Sequence, residues 1–366
     1  CQHVVIVAGN HDSPTFLDAP SNVLKFLNVH VVGTACDDLN DEVMVLDDAA
    51  GIPHCIIAAV PYLRDRDVSS SSAGESAQSK DANVIKGICA HYDEVAHIAK
   101  VKQAELGKAH QRHIPIIATG HLFAAGGTTT DDDGVRELYV GSLGKVSADM
   151  FSKSFDYVAL GHLHVPQRVG GRETIRYSGS PIAMGFGEAC QQKQILLIQF
   201  GAVLNNTGLT VENLSKSISQ KLTNTTVNAD KAIEKTAKKS VNQAASFIDD
   251  LFADVESIES DPHNETRSEQ FSEESEVILS TPFTLTTTLL HHDTSRQMQV
   301  TSLPIPTFQK LAQVSGDLET INQTVDNTIK TLSDTESVWL EIIYTGDEVI
   351  SELRENIEAM VEGLPC

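Results

Sequence analysis

The sequence predicts an α/β fold for its first 200 residues, followed after a polar segment by a small α+β module. Three observations carry this prediction. Short runs rich in Val and Ile recur between turn signals, which is typical of buried strands. Stretches with apolar residues at helical spacing lie between those runs, and this alternation is typical of an α/β fold. A strand-like run and a helical pattern then return near the end of the chain.

Five strands are predicted in the first part of the chain from their apolar runs. They are His3–Ala8, Cys55–Val60, Ile114–Thr119, Tyr157–Leu160 and Gln194–Phe200. Helical spacing predicts a short helix over Pro20–Asn28 and a long one over Ala82–Gly107. Between strand and helix, the Ser-rich stretch Arg64–Asp81 is predicted to be a polar, mobile loop.

The chain is predicted to fall into three parts, 1–202, 203–295 and 296–366. Ser, Thr, Asn, Asp and Glu dominate the middle part, which is predicted to be a polar, acidic, partly disordered insertion with one helix over Ala229–Val255. In the last part we predict a strand over Val338–Tyr344 and a helix over Glu348–Val361. Trp339 is predicted to be a core residue of that strand.

Composition limits the classes of function that the chain can have. It contains 27 Lys and Arg against 50 Asp and Glu, a formal net charge of −23. This excludes passive coating of nucleic acid by a broad basic face, but not a local site where metal ions carry the positive charge. The six cysteines form no C-x-x-C pair, which argues against a disulfide framework or zinc cage. Without a signal peptide or long apolar run, a cytoplasmic protein is predicted.

Polar motifs follow three of the predicted strands. Gly9-Asn10-His11-Asp12 follows the first, and Asn10 offers a neutral oxygen to a hard divalent metal while His11 could reach a phosphate. Asp12 could orient His11. Ligands bind at the carboxyl ends of strands in open α/β sheets, which favours a functional site here. The alternative is an ordinary turn or helix cap, since Asn and Asp favour both.

Histidines follow the other two strands. Gly120-His121 ends one, and Gly161-His162-Leu163-His164 ends the next. Two histidines at i and i+2 on an extended segment point to the same side, so both could bind metal in one cleft. Either motif alone could be a set of partly exposed histidines. The order G-N-H-D, G-H, G-H-x-H at three strand ends favours a site.

This set of motifs resembles the calcineurin-like metallophosphoesterases. The phrases VAGNHDSP, TGHLFAAGG, FDYVALGHLHVPQ and IRYSGSPIAMGFGE narrow the resemblance to the SbcD family of nuclease subunits within that superfamily, over roughly residues 1–200 and 297–366. The resemblance implies a four-layer αββα sandwich with a small α+β capping domain. The family's first two motifs, D-x-H and G-D-x-x-D, do not appear. We therefore expect a chain shortened at its N-terminus, with impaired activity.

The resemblance also implies roles for individual residues. Asn10, His121 and His162 would bind one metal ion and His164 a second, both being Mn²⁺ or alternatively Mg²⁺. His11, positioned by Asp12, would contact the scissile phosphate as a catalytic residue. Weaker candidates for contact with the DNA backbone are Arg136, Lys145, Arg168, Ser178 and Ser180, for which surface charge and turn formation are the simpler explanations.

The implied activity is a 3′–5′ exonuclease on duplex DNA and an endonuclease on single strands and hairpins, in DNA repair, recombination and replication. The implied partners are DNA, a second copy of the chain and an SbcC-like ATPase, whose docking segment would follow Cys366. Two alternatives stay open. One is a metallophosphoesterase acting on small phosphate esters, and the other is a non-catalytic interaction protein with half a metal site.

Overall fold

The computed structural model describes residues 2–69, 76–124, 146–201, 287–290, 297–333, 336–362 and 364. The strands are β1 Val4–Val7, β2 Val29–Val32, β3 Val43–Asp47, β4 Pro53–Ala58, β5 Ile116–His121, β6 Tyr157–Gly161, β7 Gln167–Val169, β8 Arg172–Tyr177, β9 Gln194–Phe200, β10 Thr287–Leu290, β11 Met298–Pro304, β12 Lys310–Gly316 and β13 Val338–Tyr344. The helices are α1 Pro14–Asp18, α2 Ser21–Lys25, α3 Asp65–Val68, α4 Ala77–His110, α5 Leu318–Lys330 and α6 Leu353–Val361.

A six-stranded mixed sheet in the order β3-β4-β5-β6-β8-β7 forms the centre of the first domain. Its four inner strands are parallel, and the two edge strands run antiparallel to their neighbours. The sheet is therefore mixed, with a parallel centre. Since the inner strands point the same way, their carboxyl ends meet at one edge of the sheet. In that register His121 lies opposite Gly161, which places two of the three motifs side by side.

Opposite faces of this sheet are covered by different partners. Apolar residues of α4, among them Ile88 and Val95, pack with Ile116 on one face. On the other face, Ile198 of β9 and Val300 of β11 pack around Tyr157. Each strand contributes to both interfaces because its side chains alternate. The arrangement is a helix, a sheet and a second sheet in layers, an α/β fold as predicted, while the complete four-layer sandwich stays a prediction.

The loop predicted over Arg64–Asp81 is partly wrong. α3 occupies Asp65–Val68, and α4 begins at Ala77, five residues before the predicted start. Ser76 explains the early start, because its hydroxyl oxygen accepts a hydrogen bond of 3.2 Å from the Ser79 backbone N–H and so caps the helix. One of the serines on which the loop prediction was based is therefore the N-cap of a helix. Residues 70–75 lie outside the described part of the chain.

One strand of the C-terminal part of the chain pairs with a strand of the first domain. β11 lies within the predicted module at 296–366, yet it pairs along its whole length with β9 of the first domain. The module's own unit is β12-α5-β13, with its two strands parallel. Ile321 and Val325 of α5 pack against Val314 of β12 in its core. The predicted strand over Val338–Tyr344 is confirmed, whereas the last helix begins at Leu353 rather than Glu348. The predicted helix over Ala229–Val255 lies outside the described residues.

Trp339 was predicted to lie in the core of the C-terminal module, and that prediction is wrong. Its side chain is 61% exposed, whereas its neighbour Val338 is buried. Side chains alternate between the two faces of a strand, and in β13 the face that carries Val338 is the one turned to the core. The apolar run alone could not assign the face.

Other general features agree with the composition. The described cysteines Cys36, Cys55, Cys89 and Cys190 are all free. Burial raises the pKa of the Cys55 thiol to about 11, which fits a packing role. No helix within the described ranges is both long enough and apolar enough to cross a membrane.

Tyr92 ties α4 to the strand that carries His121. Its buried hydroxyl donates a 3.0 Å hydrogen bond to the Thr119 carbonyl oxygen. We expect Tyr92→Phe to lower the free energy of unfolding by about 1–3 kcal/mol, because a carbonyl in this buried region loses its donor. Urea unfolding at neutral pH measures the change. The matched control is Tyr344→Phe, whose hydroxyl bonds Glu348 at the surface and whose loss should cost less than about 0.5 kcal/mol. Equal losses in both variants would contradict the prediction.

Candidate metal centre

The Gly9–Asp12 segment forms a tight turn at the end of β1. The Gly9 N–H donates a 2.7 Å hydrogen bond to the Asp12 carboxylate, and the Asp12 N–H approaches the Gly9 carbonyl at 3.4 Å. Asn10 is half-buried, whereas His11 and Asp12 are exposed. Asp12 thus closes the turn. If Asp12 orients His11, it does so by fixing the backbone of this turn. The interpretation as a simple turn and the functional one are compatible.

Asn10 and His121 meet at the carboxyl edge of the sheets. The Nε2 atom of His121 lies 2.7 Å from the Oδ1 atom of Asn10, although 111 positions separate them in sequence. Burial and, to a smaller extent, the neighbouring imidazole of His162 lower the pKa of His121 to about 4, while the Asp12 carboxylate acts in the opposite direction. His121 is therefore neutral at pH 7, the state in which imidazole can bind a metal ion.

Glycines pack against the His121 ring on two sides. A Cβ atom at Gly9 would lie 2.7 Å from Cε1 of His121, and one at Gly161 would lie 3.0 Å from its Nδ1. The first distance is a clash and the second a tight contact. The glycines of the G-N-H-D and G-H-x-H motifs therefore allow the close approach that fixes this imidazole between two strand ends.

His162 adopts an unusual backbone conformation. Its φ angle is +107°, a region that residues with side chains rarely adopt. Its ring centroid lies 5.3 Å from that of His121, with the rings at 71°, and 6.4 Å from that of Phe123. A strained residue at a strand end, directed toward another candidate ligand, is a feature typical of functional sites.

His164 is held by a buried carboxylate. Its Nδ1 atom lies 2.8 Å from Oε1 of Glu188, which is 1% exposed. The second oxygen of Glu188 accepts hydrogen bonds from the Lys193 ammonium group and from the Ser180 hydroxyl. It also accepts one from the backbone N–H of Met184. Burial alone would raise the pKa of Glu188, but the bonds from Lys193 and His164 outweigh it and hold that pKa below its usual value.

Glu188 was not predicted from the sequence as a functional residue. The signal was present, because the residue ends the phrase GSPIAMGFGE, which carried part of the resemblance. Its partner His164 lies 24 positions away, and the short 3-10 helix that carries it, Phe186–Glu188, has no periodic pattern.

The structure brings the predicted ligands together to different degrees. Asn10, His121 and His162 form one group, and the charges of His11, Asp12 and His164 also act on His121. Nevertheless, within the described ranges no group of three or more His, Cys, Asp or Glu side chains is arranged to hold a metal ion. Asn10 is an amide and is not one of those residue types. The group of Asn10, His121 and His162 therefore resembles part of a metal centre.

The weaker candidates are placed less favourably. Arg136 and Lys145 lie outside the described residues. Arg168 is paired with Glu173 in an exposed ion pair. Ser178 is half-buried, whereas Ser180 is buried with its hydroxyl bonded to Glu188 and Lys193. The hydroxyl of Ser180 is therefore bonded to other side chains of the protein, whereas the prediction was a contact with phosphate.

The donor chemistry fits a divalent cation of the first transition series. An amide oxygen and a neutral imidazole nitrogen converge at Asn10 and His121, and a second imidazole lies beside them. Imidazole suits softer transition metals, and amide oxygen suits harder ions such as Mn²⁺. The mixture of both ligand types therefore fits a metal ion of intermediate hardness. His164, held by a carboxylate at one ring nitrogen, matches the arrangement common to metal-binding histidines.

Comparison with known proteins finds similarity to one family of nuclease subunits. A family model described as the type 5 capsule protein repressor C-terminal domain, SbcD_C, matches residues 307–366, a range that begins just before β12. The SbcD subunit of the SbcCD nuclease of Escherichia coli strain K12 is 35% identical over 219 residues, which are 60% of this chain and 50% of that protein.

The same nuclease subunit from two other bacteria shows similar agreement. That of Rhodobacter capsulatus is 33% identical over 193 residues, 50% of this chain and 44% of the relative. That of Bacillus subtilis is 31% identical over 199 residues, 53% and 46% of the two chains. The chain spans about half the length of the curated relatives that it matches. As its motifs predicted, this chain is similar to the SbcD subunits of SbcCD nucleases.

Proposed function

We propose that this chain is the catalytic part of a metal-dependent nuclease that hydrolyses phosphodiester bonds in DNA. The observation that carries the proposal is the meeting of Asn10 and His121, with His162 beside them, at the carboxyl edge of the sheets. Its similarity to proteins named as nuclease subunits supports the same chemistry.

In this proposal the side chains divide the work between binding metal and binding phosphate. Asn10, His121 and His162 hold one divalent cation, and His164 contributes to a second. When bound, the cations supply positive charge that stabilises the charge developing on the phosphate and activates water for attack. His11 lies exposed in the turn that Asp12 closes, where its imidazole donates a hydrogen bond to a phosphate oxygen or to the leaving oxygen.

Bound metal ions would also offset the repulsion between this acidic chain and the DNA backbone. A chain with a formal charge of −23 repels the DNA backbone over most of its surface. Cations at the site reverse the sign of the local field where the scissile phosphate must lie. We propose Mn²⁺ as the natural ion, with Mg²⁺ as the substitute, because imidazole ligands suit Mn²⁺ better than Mg²⁺. Ser178 and Arg136 are proposed as minor phosphate contacts.

The wider biological role is proposed from the resemblance to the SbcD family. The name SbcCD denotes a complex, so we propose an SbcC-like ATPase as partner and a heterotetramer built on a homodimer of this chain. The proposed activities are 3′–5′ exonuclease on duplex ends and endonuclease on single strands and hairpins, in repair, recombination and replication. The proposed location is the cytoplasm, in association with the nucleoid where the substrate is.

The experiment is a cleavage assay on the protein as its natural gene encodes it, stripped of metal and then supplied with Mn²⁺. We expect Mn²⁺ to produce shortening of an end-labelled blunt duplex from its 3′ ends and cutting of a hairpin loop. Chelator should abolish both activities, and Mg²⁺ should restore less than Mn²⁺. Hydrolysis of small phosphate esters without cleavage of DNA would replace the nuclease proposal with a small-ester phosphoesterase.

A non-catalytic interaction protein is the second candidate. One observation favours it, since no group of three or more His, Cys, Asp or Glu in the described part of the chain is arranged as a metal site. A single weakly held ion would then serve structure or partner binding. Stoichiometric Mn²⁺ binding with no hydrolysis of DNA or small esters by the natural protein would establish this candidate and refute the first.

A further inference from the structure

We propose that Glu188 is a positioning residue, which holds the His164 imidazole in the one orientation and tautomer that can bind metal through Nε2. The inference rests on the proposed function in one respect, the role of His164 as a metal ligand. Its basis is the bond between His164 Nδ1 and Glu188 Oε1 at 2.8 Å, which joins two strand-connecting segments beside the site.

The first step concerns the proton on His164. An ionised carboxylate can only accept hydrogen bonds, so Nδ1 must carry the proton in the bond to Glu188. Any metal must then be bound by the other ring nitrogen, Nε2, which is unprotonated in that tautomer. A carboxylate in this place therefore selects the metal-binding tautomer before any metal arrives.

The second step concerns the fixed position of Glu188 itself. The carboxylate is buried and receives hydrogen bonds from Lys193, Ser180 and the Met184 backbone N–H. Lys193 is itself 7% exposed, so the two opposite charges compensate each other in the interior. With these donors on one oxygen, the other oxygen is directed at His164.

The third step is the connection of this cluster to both domains. The Ser180 N–H donates a 3.1 Å hydrogen bond to the His164 carbonyl oxygen, so side chain and backbone of His164 are both held. The Lys193 carbonyl oxygen accepts a 2.8 Å hydrogen bond from Ile305, in the segment that leads from β11 to β12. The cluster therefore lies where the C-terminal module joins the first domain.

The first measurement needs only the natural protein. We expect nitrogen NMR of the metal-free, histidine-labelled protein at pH 8 to show His164 protonated at Nδ1. The resonances are assigned by comparison with His164→Gln. A proton on Nε2 instead would overturn the proposal, whatever the protein cleaves.

The second measurement separates positioning from simple structural support. In the double variant Glu188→Gln/Lys193→Met both charges disappear together, which preserves packing and avoids an uncompensated buried charge. We expect its melting temperature to stay close to that of the natural protein. Calorimetric titration should nevertheless show Mn²⁺ bound about 10–100-fold more weakly, the usual loss when such a supporting partner is removed.

A matched control removes another ion pair. Glu173 and Arg176 are paired at 3.0 Å on β8, with side chains exposed to a similarly small extent of 15% and 14%. The variant Glu173→Gln/Arg176→Met should bind Mn²⁺ as the natural protein does. Unchanged Mn²⁺ affinity in the Glu188 variant would overturn the proposal. A natural protein that binds Mn²⁺ but cleaves no DNA would refute the nuclease function and leave the role of Glu188 intact.

Discussion

Replacing His162 with alanine is expected to lower Mn²⁺-dependent DNA cleavage by at least about 10³-fold, equivalent to roughly 4 kcal/mol of transition-state stabilisation. The imidazole of His162 lies beside that of His121, which itself contacts Asn10. Without it the proposed first metal keeps one imidazole and one amide oxygen from this group. We therefore expect the Mn²⁺ affinity to fall together with the cleavage rate. A labelled duplex assay and calorimetric titration measure the two effects.

The control for His162 is a histidine of the same chain that is far from the motifs in sequence. His97 is exposed on α4, and His97→Ala should leave both cleavage and Mn²⁺ binding unchanged. Alanine at position 162 inherits the same positive φ as histidine, so the melting temperature of the metal-free protein should change little. Full cleavage by His162→Ala would remove His162 from the ligand set and with it the support for the proposed centre.

Replacing His11 with alanine is expected to lower cleavage by about 10²–10⁴-fold while Mn²⁺ affinity stays within about twofold of the natural value. His11 is exposed in the turn at the end of β1, and the bond that meets His121 comes from its neighbour Asn10. Its proposed contact is therefore with the phosphate and not with the metal. Titration of metal-free protein with Mn²⁺, followed by single-turnover cleavage of a hairpin, separates the two properties.

Two further variants define the role of His11 more closely. His11→Gln keeps a hydrogen-bond donor at similar reach and should recover part of the rate lost in His11→Ala. Asp12→Asn weakens the closure of the turn and should lower cleavage less than His11→Ala does, because the imidazole itself remains. Loss of Mn²⁺ binding in His11→Ala would make His11 a ligand and overturn its assignment as the phosphate-contacting residue.

The sequence predicted the parts of the fold that depend on local pattern. β5 and β6 are short apolar runs, and the polar residues that follow them had to lie at the sheet edge where parallel strands end. The grouping of Asn10 with His121 and His162 was implied by the family resemblance and not by the strand ends, because β1 lies in a separate two-stranded sheet. The sequence could not predict the distance between them, which depends on how closely Gly9 and Gly161 approach the His121 ring.

Features that depend on distant partners could not be predicted. β11 forms part of the first domain only because β9, about a hundred residues earlier, pairs with it. Trp339 was wrongly predicted to be a core residue. A strand has two faces, and the sequence does not tell which of them packs on α5. Glu188 was not among the predicted site residues, because its bond to His164 joins positions that are 24 residues apart.

The positive φ of His162 has a consequence for how this position can change over generations. Glycine is the residue that adopts such a backbone without steric cost, so the site would gain on the order of 1 kcal/mol of folding stability from losing its side chain. Selection for stability alone would therefore drive position 162 toward glycine. If the imidazole of His162 has the proposed role, a lineage that no longer needs that role should replace this histidine with glycine.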